Sequence, residues 1–137
     1  MIYLLDTNTL VYALNRQGGV RERVNDAALR SGLATSSIVV AELLYGAARS
    51  SRPEENRSVV LRGLERVKIL PFTLATAEHF ARLMASLAAR GKPAPRIDLM
   101  IAASAVEMNA TLVTHDRDLL SAPIPELRVV DWYTPGK

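Results

Sequence analysis

The sequence predicts a three-layer α/β/α sandwich with a mainly parallel sheet of four to five strands, in a single domain over residues 1–137. Three observations predict it. Short apolar or β-branched runs alternate with helical stretches along the whole chain. The first run, residues 2–6, is continuously apolar up to its last residue, as suits a strand covered on both faces. A chain of 137 residues, 49% hydrophobic, has enough material for one core, and no repeat or long linker divides it.

Each element has its own warrant. Residues 33–37 and 67–72 are the weaker strand candidates, while 111–114 and 127–131 are richer in β-branched side chains. Residues 20–31 carry mixed charge around Val24, Ala27, Ala28 and Leu29 and read as a helix. A second helix, 38–50, follows Ser36-Ser37, a pair suited to capping its start. Pro53, Glu54 and Glu55 are first-turn residue types and open a helix over 53–66. Over 74–90, with Thr73 as cap, Ala77, Phe80, Ala81, Met84, Leu87 and Ala88 form one stripe. Residues 97–108 are apolar nearly all round, which places that helix centrally.

Composition narrows the function. No cysteine is present, so disulfides, thiolate metal sites and a cysteine nucleophile are excluded. Met1-Ile2-Tyr3-Leu4-Leu5-Asp6 reads as a strand starting at once rather than as a secretory leader, and Leu99–Val106 is too short to span a bilayer, which takes about 20 residues. A cytoplasmic protein without a membrane partner is therefore expected. The net charge is +3, from 17 basic and 14 acidic residues. Setting four acids aside in a metal site leaves 14 − 4 = 10 against 17, or +7 on the remaining surface. Such a surface would draw a polyanion toward an acidic pocket.

The four acids are Asp6, Glu42, Asp98 and Asp116. Each alone has a plain explanation. Asp6 suits the cap of a helix starting near Thr9, and Asp98 suits a first-turn acid facing the helix dipole. Asp116, in His115-Asp116-Arg117-Asp118, suits a turn, and most helical glutamates like Glu42 are solvated. In a parallel α/β sheet, however, sites form beyond the carboxyl ends of the strands, where all four can meet. Converging carboxylates repel without a cation. An oxygen-only donor set selects hard ions such as Mg²⁺ or Mn²⁺, which activate water and offset phosphate charge.

Four stretches resemble the motifs of the PIN-domain family, in order and at its spacing. They are Leu4-Leu5-Asp6-Thr7-Asn8, Ser37 to Gly46 around Glu42-Leu43, Asp98 to Ala105, and Val113 to Leu119, where Leu119 replaces a common Phe. The short chain is most similar to VapC toxins of toxin–antitoxin pairs. That resemblance implies a Mg²⁺-dependent endoribonuclease, able to use Mn²⁺, acting on RNA, homodimeric and silenced by a cognate antitoxin. It makes Asp6, Glu42, Asp98 and Asp116 the catalytic and metal-binding acids. Thr114 becomes a polar support beside them, and Asn8 the residue that holds the turn after the first strand.

Arg90, Lys92 and Arg96 flank the loop before Asp98 and are candidate RNA contacts. His115 and His79 read as exposed, and Asp118 as a surface residue. Trp132 and Tyr133 read as closing the sheet's edge rather than stacking a base. A haloacid-dehalogenase-like phosphatase also places an Asp after an apolar strand, but it needs a second acid where Asn8 stands. A non-catalytic RNA-binding α/β module would keep the basic surface without needing the four acids.

Overall fold

A computed structural model describes all residues 1–137. Five strands, β1 (Ile2–Leu5), β2 (Gly32–Ser36), β3 (Lys68–Leu70), β4 (Thr111–Val113) and β5 (Arg128–Val130), form one sheet in the order β3-β2-β1-β4-β5. Every pairing is parallel; Tyr3 of β1 stands opposite both Leu33 and Thr111. Parallel neighbours need crossovers, and helices supply them. The first joins β1 to β2 through α1 (Thr7–Leu14) and α2 (Val20–Arg30), and the second joins β2 to β3 through α3 (Ser37–Arg49) and α4 (Pro53–Gly63). The third joins β3 to β4 through α5 (Leu74–Ala89) and α6 (Arg96–Glu107), and the four-residue α7 (Arg117–Leu120) precedes β5.

The expected caps are present. Ser36 accepts the Ile38 N–H at 3.0 Å. Thr73 and Thr76 form a reciprocal capping box, and Pro53 opens α4 with Glu54 and Glu55 in its first turn. Ends shift by a residue or two, with three differences of substance. α4 stops at Gly63 instead of 66. The first helix starts at Thr7, not Thr9, because Asp6 is its cap and no longer part of the strand. α7 lies where only a turn was expected, since four residues carry no readable periodicity.

Leu4, Leu5, Val39, Leu99, Leu112 and Val113 are fully enclosed and join one core around the sheet. α6 is central as its composition required, with Leu99 and Ile101 to Ala105 all buried. The stripe on α5 is rotated from the expected one. Thr76, Leu83 and Leu87 are buried, whereas Ala81 and Ala88 face solvent. Leu83 and Leu87 pack on that inward side, where the Thr76 hydroxyl is satisfied by donating to Glu107 of α6 at 2.6 Å. Buried polar groups elsewhere are also satisfied, as where Thr35 donates to the Leu5 carbonyl at 2.7 Å. No helix is long and apolar enough to cross a membrane.

Candidate active site

The strand order reverses between β1 and β4, since the chain runs outward from β1 to β3 and then returns to the other side. At such a switch point the loops leaving adjacent strands part and leave a crevice. Asp6 leaves the end of β1 and Asp116 lies three residues beyond β4. Glu42 comes from the second turn of α3 and Asp98 from the first turn of α6. These four carboxylates, with Thr7, Asn8 and Ile101, line one small cavity of about 110 Å³.

Each acid is held differently. Asp6 is buried, 6% exposed, and its Oδ1 accepts the Thr9 N–H at 2.8 Å. Its own N–H donates to the Val113 carbonyl at 3.2 Å, extending the β1–β4 ladder by one rung. Thr9 adds a buried hydroxyl bond to the same carbonyl at 3.0 Å. Asp116 caps α7, its Oδ1 accepting from the N–H groups of Asp118 at 2.8 Å and Leu119 at 3.1 Å. Glu42 accepts a hydrogen bond from the Thr7 hydroxyl. Thr114 is fully buried, and its hydroxyl accepts the Asp116 N–H at 3.0 Å.

Electrostatics record the crowding. Burial raises the Asp6 carboxyl above the ordinary range, against hydrogen bonds from Thr114 and Thr9 that lower it, and Asp116 adds repulsion. Burial first, then repulsion from Asp116, Asp6, Glu42 and Asp118, pushes Asp98 from the ordinary 3.8 up to about 6. A carboxylate facing four others, with no base paired to it, is arranged to favour a cation. The donors are oxygen only, as hard divalent ions prefer. Oxygens of Asp6, Glu42 and Asp116 are turned to N–H and hydroxyl partners, and no three of the chain's acidic or histidine side chains are drawn together as a finished metal cage.

The structure thus brings together all four acids singled out in the sequence, with Thr114 supporting two of them. Asn8 lies at the cavity, but the turn after β1 is held by Asp6. Thr7 is an addition; its role depends on α3 packing beside α1, which no local pattern announces. Asp118 is exposed, yet near enough to act on Asp98. Arg90, Lys92 and Arg96 are exposed along the end of α5, the following loop and the start of α6. Lys92 shares a neighbouring concavity of about 270 Å³ with Asp118.

His115 is not the exposed residue its turn implied. It is half-buried, donates from Nδ1 to Asp131 at 2.8 Å and stacks on Tyr133 with ring centroids 4.4 Å apart. His79 is also half-buried, with its Nδ1 2.6 Å from the Arg82 guanidinium. Neither Trp132 nor Tyr133 closes the sheet's edge: the buried Trp132 packs 5.0 Å from Tyr3 of the central strand β1, and Tyr133 turns away to His115.

Comparison with known proteins agrees with this architecture. The PIN-domain family model matches residues 3–124. Ribonuclease VapC2 of Rickettsia felis is 36% identical over 133 residues, 96% of this chain and 98% of that protein. The tRNA(fMet)-specific endonuclease VapC of Salmonella typhimurium is 35% identical over 131 residues, 95% of this chain and 97% of that one. The crystal structure of VapBC2 from Rickettsia felis, bound to a promoter DNA fragment, superposes with a TM-score of 0.88 at 35% identity, covering 96% of this chain and 99% of that one. The chain belongs to the PIN-domain family, as a relative of the VapC ribonucleases.

Proposed function

We propose that this chain is a metal-dependent endoribonuclease, the toxin of a toxin–antitoxin pair, and that it cleaves RNA phosphodiester bonds at the cavity between β1 and β4. The observation that carries the reading is the convergence of Asp6, Glu42, Asp98 and Asp116 on one cavity at the β1–β4 switch point, with the Asp98 carboxyl raised to about 6 by burial and by its acidic neighbours. Asp6, Glu42, Asp98 and Asp116 would hold a hard divalent cation, Mg²⁺ with Mn²⁺ as a substitute. Such a cation, when bound, activates water and offsets the charge of the scissile phosphate.

The chain's own residues do the rest. Thr114 orients Asp6 and Asp116, and Thr7 orients Glu42. Asn8 stands at the cavity as a polar neighbour of the reacting phosphate. Arg90, Lys92 and Arg96 offer positive charge to the RNA backbone beside the acids. The family assignment and the missing second acid at Asn8 disfavour the phosphatase alternative, and the crowded acids disfavour a module that only binds RNA.

The partners follow from the relatives. The neighbouring crystal structure is a VapBC complex on promoter DNA. A cognate antitoxin, a homodimeric assembly and a cytoplasmic location are accordingly proposed here. One relative is a tRNA(fMet)-specific endonuclease, which makes tRNA the first substrate to test. Purified protein incubated with tRNA and Mg²⁺ or Mn²⁺ should cut it, and chelator should stop the reaction. Cleavage unchanged in chelator, or none with either metal, would overturn the proposal.

A further inference from the structure

The turn carrying Asp116 is anchored locally by the buried Thr114 and Leu119 and by its own helix cap. α7 is a single helical turn, and Asp116 is only half-buried. Behind it lies a cluster that the cleavage chemistry does not use. His115 Nδ1–H donates to Asp131 Oδ2 at 2.8 Å, while Asp131 Oδ1 accepts the Tyr133 N–H at 2.9 Å. One carboxylate therefore holds both the histidine and the tyrosine. The Tyr133 ring stacks on His115, 4.4 Å between centroids and 28° apart in plane. Tyr12 of α1 closes the third side, 4.7 Å from Tyr133 and edge-on to His115 at 5.8 Å.

The C-terminal segment is fastened in turn. Thr134 N–H donates to the Gly18 carbonyl, and Gly18 N–H donates to the Lys137 carbonyl, both at 2.8 Å. Gly18 has φ +67°, and a Cβ there would collide with the Tyr133 ring, so this approach requires glycine. The cluster thus touches the neighbour of Asp116 on one side and, through Tyr12, the helix that Asp6 caps on the other. It lies partly beyond the residues 3–124 matched by the family model.

We infer that Asp131 and Tyr133 form a C-terminal clasp that positions Asp116 against Asp6 by gripping His115 and Tyr12. None of these four side chains lines the acidic cavity; they act through the turn. The inference rests on the proposed metal site, but the clasp has a readout independent of metal and RNA. Outer groups that orient metal ligands typically change affinity by about 10–100-fold when removed.

The test compares Tyr133→Leu, Asp131→Ala and Tyr133→Phe with wild type. In metal-free protein, Tyr133→Leu and Asp131→Ala should speed hydrogen exchange in residues 114–120 and leave that of α5 unchanged. Mn²⁺ binding by calorimetry should weaken about tenfold or more. Turnover should fall with KM for RNA nearly constant, and Tyr133→Phe, which keeps the ring, should restore all three. If Tyr133→Leu fails to fold, Asp131→Ala carries the test. Unchanged exchange in residues 114–120, or acceleration spread evenly through the sheet and α5, overturns the clasp. Wild-type protein that neither binds Mn²⁺ nor cuts RNA would defeat the metal-site reading instead, and the exchange result would still decide the clasp.

Discussion

Asp6 and Asp116 do the same local job in two different settings. Each follows a strand of the central pair, and each caps the next helix through its carboxylate. Asp6 is locked from all sides, buried, tied into the β1–β4 ladder and followed by an eight-residue helix. Asp116 is half-exposed on a four-residue helix, and distant residues brace it through His115. One acid thus carries the cost of desolvation, and the other depends on its surroundings for its position. A site built from both has one half held inside the core and one half held from the surface.

The largest expected effect would erase that difference. If both carboxylates serve one site, Asp6→Asn and Asp116→Asn should each lower RNA cleavage by about 10²–10³-fold or more, as should Asp98→Asn. Circular dichroism should show each variant folded, because Asn matches Asp in volume and also caps helices. A folded variant with wild-type activity would remove that acid from the site.

Next in size is the response to metal. At about 100 times its dissociation constant, Mn²⁺ should stabilise the wild type by about 2.7 kcal/mol. For a domain of this size that amounts to several degrees in Tm by thermal scan. The three Asn variants should gain much less. Full gains in all of them would mean that the ion binds elsewhere.

Without metal the two turns should part company. Asp6→Asn keeps the cap and removes a buried charge, so its Tm in chelator should rise above wild type. Asp6→Ala loses the cap, which costs about 1 kcal/mol and opposes that gain. Asp116→Asn should change Tm little. Glu54→Gln on exposed α4 should leave both Tm and the metal response unchanged. Glu107 is unsuitable as such a control because it accepts the Thr76 hydroxyl.

The last effect is a pH dependence. The folded chain holds the Asp98 proton more tightly than the unfolded chain, so stability from this group is complete below about 3.8 and is lost as pH rises through about 6. The raised Asp6 carboxyl acts in the same direction. In chelator, the Tm of wild type relative to Asp98→Asn should therefore fall between those two values and level off above them. A flat difference would mean that Asp98 does not titrate in that window.

Much of this was legible in the order of residues. Strand and helix runs, the caps at Ser36 and Thr73, the helix start at Pro53, and the apolar α6 are local properties, set within a few positions of one another. The positions of the four acids within their motifs are local too, and the parallel sheet then carries their elements to one edge. Asp98 in a first helical turn and Asp6 at a strand's end could be assigned without coordinates. Their reinforcement of one another could not, because desolvation and repulsion depend on distances between segments remote in the chain.

The sequence by itself determined the elements other than α7, the family and the acids that meet. Tertiary structure alone decided that Thr7 donates to Glu42, that α5 turns Thr76 inward toward Glu107, and that His115 is gripped by Asp131 and Tyr133. These partners stand 35, 31 and 16 residues apart, respectively, for the Thr7, Thr76 and His115–Asp131 bonds. Periodicity reports which side of a single helix or strand is apolar, but not what lies opposite it. Hydrogen bonds between elements are set only when the whole core has packed.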